Sequence, residues 1–339
     1  MKKIVFYIKG IYNGGTEIAL LNLISFLDKS LYDIYIINDD IENSNIIVSE
    51  KMSKFAKIVG MSKMQADVLV YCTSPRFGIE NIFENIEYKK SFFWFHYFSE
   101  NQLKFLQMVN ENNFVDNVIV VCETIKKKLL KLDIYNNHED NIVSIYNVMP
   151  IAEILQKSEE NVELELSGCI NFVTVCRLYK EKGFGRMKQL VECLLARNID
   201  FKWHIIGCAL NEDDEKEINS IINCYPGKVI MHGYQSNPYK YIAKCDYLVL
   251  LSDEENMPLT VVEAKILGVP CILTNFDSAY EQISDMENGI ILDRYDLETY
   301  SDRIDDIIKN KDKFKEVTKE YCYSNEKSIA KWDELFGQE

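Results

Sequence analysis

Residues 170–196 read INFVTVCRLYKEKGFGRMKQLVECLLA. The mostly apolar run Ile170–Val175 predicts a buried β-strand, and Gly183–Ala196 carries apolar residues at helical spacing. A polar loop with the cations Arg177 and Lys182 joins them. A buried strand followed by a helix is the repeating unit of parallel sheets that are covered on both faces. The stretch therefore predicts an α/β fold.

The same alternation runs through the rest of the second half of the chain. Five further strands are predicted there, separated by helical segments: Trp203–Ile206, Lys228–Met231, Tyr247–Leu251, Cys271–Thr274 and Gly289–Leu292. The segment Asp296–Lys309 predicts a closing helix. Together these elements predict a doubly wound domain, whose ligands bind in loops at the carboxyl ends of the strands.

The first half shows a second set of such elements. Its predicted strands are Lys3–Ile8, Tyr35–Ile37, Asp67–Tyr71, Phe92–Phe95, Asn117–Val121 and Ile142–Tyr146, with a helix over Thr16–Leu27 after the first of them. An acidic linker with one helix is expected over 151–167, and Ser324–Leu335 has the apolar spacing of a helix. We therefore predict a domain at 1–150, a second domain at 151–322 and a C-terminal helix at 323–339.

Length and composition agree with two globular domains. The chain has 339 residues, of which 47% are hydrophobic and 27% charged, while Gly and Pro number 14 and 6. Disordered and collagen-like classes are thereby excluded. No run approaches the roughly 20 apolar residues that cross a bilayer, and the apolar stretch at the start is too short for a signal peptide. A cytoplasmic protein is expected.

Cysteine spacing and charge exclude two further classes of function. The ten cysteines contain no C-x-x-C pair, so buried apolar thiols are favoured over a zinc site or a disulfide framework. The net charge of −15 argues against general nucleic-acid binding. That charge is uneven, because residues 1–150 carry −2 and the remainder −13. The two halves are therefore expected to face different partners.

Gly14 and Gly15 follow the first predicted strand and begin the first predicted helix. Glycines there let backbone N–H groups approach an anionic group, and a helix N-terminus favours negative charge. The spacing is neither G-x-G-x-x-G nor that of a Walker A loop. An anion site and a simple turn both remain open for this pair.

Arg177 and Lys182 lie between a strand end and a helix start. Two cations in such a place can clamp a diphosphate, the arginine as a planar fork and the lysine as a point charge. The alternative is a solvated basic loop, for which Lys180 is the better example.

Two glutamates lie eight residues apart after the predicted strand Tyr247–Leu251. Glu255 is in the loop, and Glu263 is inside the helix opened by Pro258. A carboxylate on this helix can accept two hydrogen bonds from vicinal hydroxyls such as those of a ribose. Acidic residues near a helix start are also common for local electrostatic reasons.

His96 directly follows the apolar run Phe92–Phe95, which places an imidazole at the carboxyl end of a strand. Such a histidine can face a ligand, and a structural core histidine is the alternative. His204 lies in the middle of a predicted strand, so a structural role is expected for it.

Taken together, these motifs resemble those of the GT-B glycosyltransferases, and in particular the retaining group 1 family of bacterial capsular and surface polysaccharide enzymes. Gly14-Gly15-Thr16-Glu17 is similar to the family's Gly-Gly-Ala-Glu loop, and Arg177 to Gly183 is similar to its Arg-Leu-x-x-x-Lys-Gly. Glu255 and Glu263 form its E-x7-E signature. The motifs follow in the family's order over nearly the whole chain.

The resemblance implies a GT-B fold. This is a pair of Rossmann-like doubly wound domains that face a cleft, with a C-terminal helix that crosses back to the first domain. The first domain would receive the acceptor, and the second would bind the donor. Gly14 and Gly15 would approach the diphosphate or the acceptor, and His96 would lie near the reacting sugar.

The resemblance also implies roles for residues of the second domain. Arg177 and Lys182 would bind the diphosphate of a sugar nucleotide, and Glu263 would accept from the ribose hydroxyls. Glu255 would contact the transferred sugar, and Tyr234 would lie near the base.

The implied activity is that of a retaining, metal-independent hexosyltransferase without a cofactor or a metal site. Its donor would be a nucleoside diphosphate sugar, UDP-linked, and its acceptor a glycan or lipid-linked oligosaccharide of bacterial surface polysaccharide synthesis. Two basic clusters in the first half are compatible with peripheral docking at the inner membrane face, although a solvated helix face explains them equally. They are Lys51, Lys54, Lys57 and Lys63, and Lys126, Lys127, Lys128 and Lys131.

Two alternative functions are weighed against this one. A non-catalytic partner subunit is disfavoured because the charged motif residues are all present, namely Arg177, Lys182, Glu255 and Glu263. The other alternative is a sugar-nucleotide epimerase, which would use the same architecture. The chain also departs from the family pattern: Gly207-Cys-Ala209 replaces Gly-x-Gly, and Asp277-Ser278 replaces a glycine pair. Sugar contacts at this last loop therefore stay open.

Overall fold

The computed structural model describes residues 1–75, 78–132, 141–164, 166 and 168–337. The chain forms two compact units. Unit 1 contains Met1–Met149 together with the segment from Ser324, and unit 2 contains Pro150–Tyr323.

Unit 1 is built on a seven-stranded parallel sheet. Its strands are β1 (Lys2–Ile8), β2 (Tyr32–Asn38), β3 (Lys57–Val59), β4 (Met64–Tyr71), β5 (Ile86–Phe95), β6 (Asn117–Val120) and β7 (Ile142–Ser144). The helices between them are α1 (Gly15–Phe26), α2 (Ile46–Ser53), α3 (Ile79–Asn85), α4 (Glu100–Asn112) and α5 (Glu123–Leu130). The strand order is β3-β2-β1-β4-β5-β6-β7, and each neighbouring pair is parallel.

Unit 2 repeats this architecture with six parallel strands. They are β8 (Ile170–Val175), β9 (Phe201–Ile206), β10 (Val229–Gly233), β11 (Tyr247–Leu250), β12 (Cys271–Thr274) and β13 (Gly289–Leu292). Its helices are α6 (Ile151–Ser158), α7 (Phe184–Ala196), α8 (Glu212–Cys224), α9 (Tyr239–Ile242), α10 (Leu259–Ile266), α11 (Ala279–Gln282), α12 (Tyr300–Lys309) and α13 (Lys311–Lys319). The order β10-β9-β8-β11-β12-β13 is that of a doubly wound sheet.

The strands are buried on both faces, as their apolar runs predicted. In β8, Phe172 packs into the cluster on one side of the sheet and Val173 into the cluster on the other, and both are fully buried. The described ranges contain no helix that combines the length and apolar character needed to cross a bilayer.

Several boundaries differ from the predictions. Strand β5 begins at Ile86, six residues before the predicted start, because the side chains of its first half include the exposed Glu87 and Lys90 and hide the strand signal. Strand β3 has only three half-buried or exposed residues and was not predicted. Helix α13 was also not predicted, since only Phe314 and Thr318 of its nine residues are buried.

The C-terminal helix α14 (Glu326–Leu335) packs within unit 1, which confirms the predicted return of the chain end. The indole of Trp332 lies edge-on against Trp94 of β5, with ring centroids 4.9 Å apart. Asn325 fixes the start of this segment, because its amide oxygen accepts from Met149 N at 2.9 Å and its amide nitrogen donates to Met149 O at 2.8 Å.

None of the ten cysteines, all of which lie within the described residues, forms a disulfide bond, and five of them are buried. The prediction of buried thiols is wrong for three others, Cys208, Cys224 and Cys322, which are exposed. They lie in a loop after β9, at the end of α8 and between α13 and α14, where local apolar neighbours do not determine burial.

Candidate functional site

Each sheet has one point where the strand order reverses, and ligands of doubly wound folds bind outside the carboxyl ends of the strands there. In unit 1 this point lies between β1 and β4, and in unit 2 between β8 and β11. The Gly14-Gly15 loop follows β1, the loop of Arg177 and Lys182 follows β8, and the loop of Glu255 follows β11. The predicted motif loops thus occupy the switch points of both units.

The Gly14-Gly15 loop forms the start of helix α1. Gly14 is the N-cap, and its N–H donates to the carboxylate of Glu17 at 2.6 Å. Gly15 is exposed, and an added Cβ would meet no atom within 4 Å. The first N–H groups of a helix have no partner inside it. Packing within the unit therefore does not demand a glycine at position 15.

The loop of Arg177 is anchored by its backbone. Leu178 N donates to Cys208 O at 2.9 Å, and Leu210 N donates to Leu178 O at 3.1 Å. The Arg177 guanidinium itself is exposed and makes no hydrogen bond or ion pair with the part of the chain that the structure describes. A rigid backbone thus presents an available cation at the carboxyl end of β8.

Lys182 and Glu255 form an ion pair at the unit 2 switch point. Lys182 Nζ donates to Oε1 of Glu255, and the side chains are 12% and 15% exposed. Burial disfavours the lysine charge, but the neighbouring Glu255 carboxylate more than offsets it and raises the pKa of Lys182 above its usual range. The lysine therefore stays cationic.

Three hydroxyl groups and one guanidinium hold the loop of Glu255 by hydrogen bonds. Ser252 Oγ donates to Glu255 Oε1 at 2.8 Å, Thr274 Oγ1 to Ser252 O at 2.5 Å and Ser278 Oγ to Glu255 O at 3.3 Å. Arg294 donates to the backbone oxygen of Asp253. Thr274 carried no sequence signal for this function, because it lies on β12, a different strand. Ser278 lies in the loop where Asp277-Ser278 replaces a glycine pair, but its contact with Glu255 was not predicted.

Arg186 adds a further contact to the same loop. Its Nε donates to Leu251 O at 2.7 Å, and its Nη1 lies 2.8 Å from the carboxylate of Asp253. Gly183 begins helix α7 at a φ of +81°, and a Cβ there would lie 2.1 Å from Leu251 O. A glycine is therefore required for the close approach of the two loops.

Glu263 lies inside α10, as predicted, and is only 7% exposed. Its carboxylate oxygen accepts from the hydroxyl of Tyr239 at 3.3 Å. Burial raises the pKa of Glu263 to about 7. Tyr239 was not singled out from the sequence, because a tyrosine at the start of a short helix gives no signal of its own.

Cys176 is a further residue that the sequence did not indicate. It directly follows β8 and lies within electrostatic reach of Lys182, Glu255 and Arg177. Burial raises the pKa of this thiol to about 12. A thiol that stays protonated at neutral pH is a poor nucleophile.

His96 follows β5 in unit 1, and its ring lies tilted against that of Trp94, with ring centroids 4.3 Å apart. Burial lowers its pKa to about 3, so the imidazole is neutral at pH 7. A neutral imidazole can donate or accept a hydrogen bond but does not act as a cation.

Tyr234 is 50% exposed and directly follows β10. On the neighbouring strands β9 and β10, His204 Nδ1 and His232 Nε2 lie 3.0 Å apart. The expected structural role of His204 agrees with this contact and with its 1% exposure.

The described residues contain no group of three or more His, Cys, Asp and Glu side chains suited to a metal ion. Asp39 and Asp40 follow β2 and accept hydrogen bonds from the hydroxyls of Tyr7 and Tyr12, respectively. These two carboxylates thus have structural partners.

Comparisons with known proteins indicate the family and the fold. Residues 156–324 match the model of the family described as glycosyl transferases group 1. CapM of Staphylococcus aureus, described as a capsular polysaccharide biosynthesis glycosyltransferase, is 21% identical over 199 residues, which cover 57% of this chain and 52% of that protein. The chain thus spans about half the length of this curated relative.

Solved structures resemble the whole chain. HepE of Anabaena in complex with UDP has a TM-score of 0.75 at 16% identity, covering 99% of this chain and 96% of that one. A mutant of TarM from S. aureus, in complex with fondaparinux, alpha-GlcNAc-glycerol and UDP, has a TM-score of 0.76 at 14% identity and covers 100% of both chains. The fold is GT-B, and through residues 156–324 this chain belongs to the group 1 glycosyltransferases.

Proposed function

We propose that the chain is a retaining glycosyltransferase of bacterial surface polysaccharide synthesis. It moves a sugar from a UDP-linked donor to a glycan or lipid-linked acceptor. The observation that carries the proposal is the convergence of Arg177, Lys182 and Glu255 at the switch point of unit 2. Further support comes from the UDP bound to HepE and TarM and from the capsular role in the description of CapM.

Arg177 and Lys182 supply the charge that the leaving group needs. As the bond between sugar and diphosphate breaks, negative charge grows on the diphosphate and positive charge on the sugar. Arg177 is exposed and available, and Lys182 is held in its charged form. Preorganised cations in a partly buried site stabilise such a transition state without rearrangement.

The two glutamates contact different parts of the sugar nucleotide in this proposal. Oε1 of Glu255 is taken by Lys182 and Ser252, so Oε2 is the oxygen that accepts a hydroxyl of the sugar. Glu263 accepts from the ribose, and Tyr234, half-exposed at the edge strand β10, contacts the base. In this assignment Gly14 and Gly15 approach the diphosphate or the acceptor, and His96 lies near the reacting sugar.

Retention is proposed without a covalent enzyme intermediate. The acceptor hydroxyl attacks the anomeric carbon from the face that the diphosphate leaves, the new bond forms at its oxygen, and its proton passes to a phosphate oxygen of the departing nucleotide. The Cys176 thiol next to the site is no competing nucleophile, since its pKa is raised to about 12 by burial.

Neither a cofactor nor a metal ion is part of the proposed reaction, because the two cations can neutralise the diphosphate. The test begins with a thermal-shift screen of nucleotide sugars on the full chain. The stabilising donor is then incubated with candidate acceptors, with and without a chelator. We expect transfer with an unchanged anomeric configuration by NMR and no loss with the chelator.

Three outcomes would contradict parts of this proposal. Release of a new epimer from donor alone would indicate an epimerase. Absence of binding to every nucleotide sugar would favour a non-catalytic partner subunit. Loss of transfer with the chelator and rescue by magnesium or manganese would refute metal independence.

Peripheral contact with an anionic membrane is proposed for unit 1. Lys127 and Lys131 on and after helix α5 are exposed, as is Lys54 after α2. Each cation near an anionic leaflet contributes about 1 kcal/mol. Lys57 contributes less, because it is paired with Asp33 at 3.0 Å.

A further inference from the structure

Tyr239 lies beside one of the two carboxylates assigned to the donor. Its hydroxyl donates to Oε1 of Glu263 at 3.3 Å, although the residues are on different helices, α9 and α10. Helix α9 contacts both α6 and α10. The phenol of Tyr239 therefore reaches the buried carboxylate from a neighbouring helix of unit 2.

The start of α9 is fixed from both sides. Asn237, itself 8% exposed, donates through Nδ2 to Lys157 O at the end of α6, at 2.9 Å. Its Oδ1 accepts from Tyr239 N at 3.1 Å. This chain of contacts leaves Tyr239 little freedom, so its hydroxyl is held at Glu263 rather than free to move away.

We propose that Tyr239 is a positioning residue for Glu263, whose one oxygen it holds so that the other accepts the ribose hydroxyls of the nucleotide. This inference rests on the proposed function. A carboxylate fixed through one oxygen presents the other in a defined direction, which is what two neighbouring hydroxyls require.

The hydrogen bond also controls the charge of Glu263. Burial raises the pKa of Glu263 to about 7, and the bond from Tyr239 opposes that shift. Burial, together with the nearby Glu263 and Glu153, raises the pKa of Tyr239, so the phenol keeps its proton and remains a donor. The ionised carboxylate that a ribose needs is therefore favoured by this tyrosine.

The other titratable groups around α10 interact with residues other than Glu263. Helices α6, α9 and α13 and strand β12 contact α10. Glu153 of α6 acts on Tyr239, and Cys271 of β12 lies near Lys265. Lys265 itself donates to Gln282 O, and Lys319 of α13 lies near Gly268, beyond the helix end. Among the described residues, Tyr239 is the titratable group that hydrogen-bonds Glu263.

The test measures UDP affinity of the full chain by calorimetry between pH 5.5 and 8.5. Wild type is compared with Tyr239→Phe, which deletes one hydroxyl. The matched control is Tyr241→Phe on the same helix, since Tyr241 is 8% exposed and packs on His232. Titration of UDP itself is common to all three proteins and cancels in the comparison.

Binding is expected to strengthen through about pH 7 in wild type, as Glu263 ionises. In Tyr239→Phe the midpoint should move up by about one pH unit, which lowers affinity about fivefold at pH 7 and much less at pH 8.5. Tyr241→Phe should follow wild type.

Two results would overturn the inference. One is a Tyr239→Phe midpoint equal to that of wild type. The other is an equal loss of affinity at every pH, which indicates a purely structural role. Wild-type protein that binds no UDP at any pH would instead refute the proposed function, so the two failures are distinguishable.

Discussion

Lys182 donates through Nζ to Oε1 of Glu255, a residue 73 positions later in the chain. Removing one partner of a largely buried ion pair leaves an unpaired charge and is costly. The Glu255 carboxylate therefore keeps Lys182 cationic at the place where the proposed sugar donor binds. The pair also restricts each side chain, so that the cation and the carboxylate are set in position before a substrate arrives.

Under the proposed function, Glu255→Gln is expected to retain UDP binding and to lower turnover by about 10²- to 10³-fold, because its carboxylate is assigned to the sugar rather than to the nucleotide. Glu263→Gln should weaken UDP binding itself. Exposed Glu254→Gln is the matched control. Calorimetry and initial rates separate the two effects, and equal weakening of UDP by both substitutions would contradict the division of roles.

Arg177→Ala should lower UDP affinity at least tenfold, since a charge-assisted hydrogen bond contributes about 1.5 to 3 kcal/mol. Lys180→Ala removes an equally exposed cation from the same loop and should leave affinity nearly unchanged. If both variants bind UDP like wild type, Arg177 is not a diphosphate ligand.

Alanine at two glycines of the same loop and helix should change stability in opposite directions. Gly183→Ala places a Cβ 2.1 Å from Leu251 O at positive φ and should destabilise the fold by more than about 1 kcal/mol. Gly185→Ala, inside α7 with open space around it, should stabilise by about 0.5 to 1 kcal/mol. Urea unfolding measures both, and a tolerated Gly183→Ala would refute the required close approach.

Acidification should destabilise unit 2 through the buried His204, which contacts the half-buried His232. Burial, and then the neighbouring His232, lowers the pKa of His204 from 6.5 to about 4. Neutral His204 therefore contributes stability above pH 6.5, and this contribution is lost as the pH falls toward 4. Between pH 7 and 5 the loss is about 1 to 2 kcal/mol. His204→Leu should lose less unfolding free energy than wild type over this range. A pH dependence of urea unfolding equal to that of wild type would contradict the assignment.

Wild-type protein should co-sediment with anionic vesicles at low salt and not with neutral ones. High salt should release it, because the attraction is electrostatic and screened. The double variant Lys127→Glu with Lys131→Glu should remain in the supernatant. Equal recovery of wild type in the supernatants of both vesicle types would refute the proposed contact with an anionic membrane.

Local pattern was sufficient for the elements that surround the site. Buried parallel strands such as β8 and β12 are continuous apolar runs, and their bounds were predicted correctly to the residue. A loop that follows such a strand lies at its carboxyl end whatever the rest of the fold does. The loops of Gly14, Arg177 and Glu255 were therefore located from the sequence.

Side-chain partners depended on the tertiary structure. Lys182 meets Glu255 because β11 lies beside β8, although two strands intervene in the chain. Tyr239 meets Glu263 because α9 packs against α10, and His204 meets His232 because β9 pairs with β10. Sequence periodicity indicates which face of an element is buried. Strand order and helix packing arise instead from the crossovers between distant segments, and they decide which buried groups are in contact.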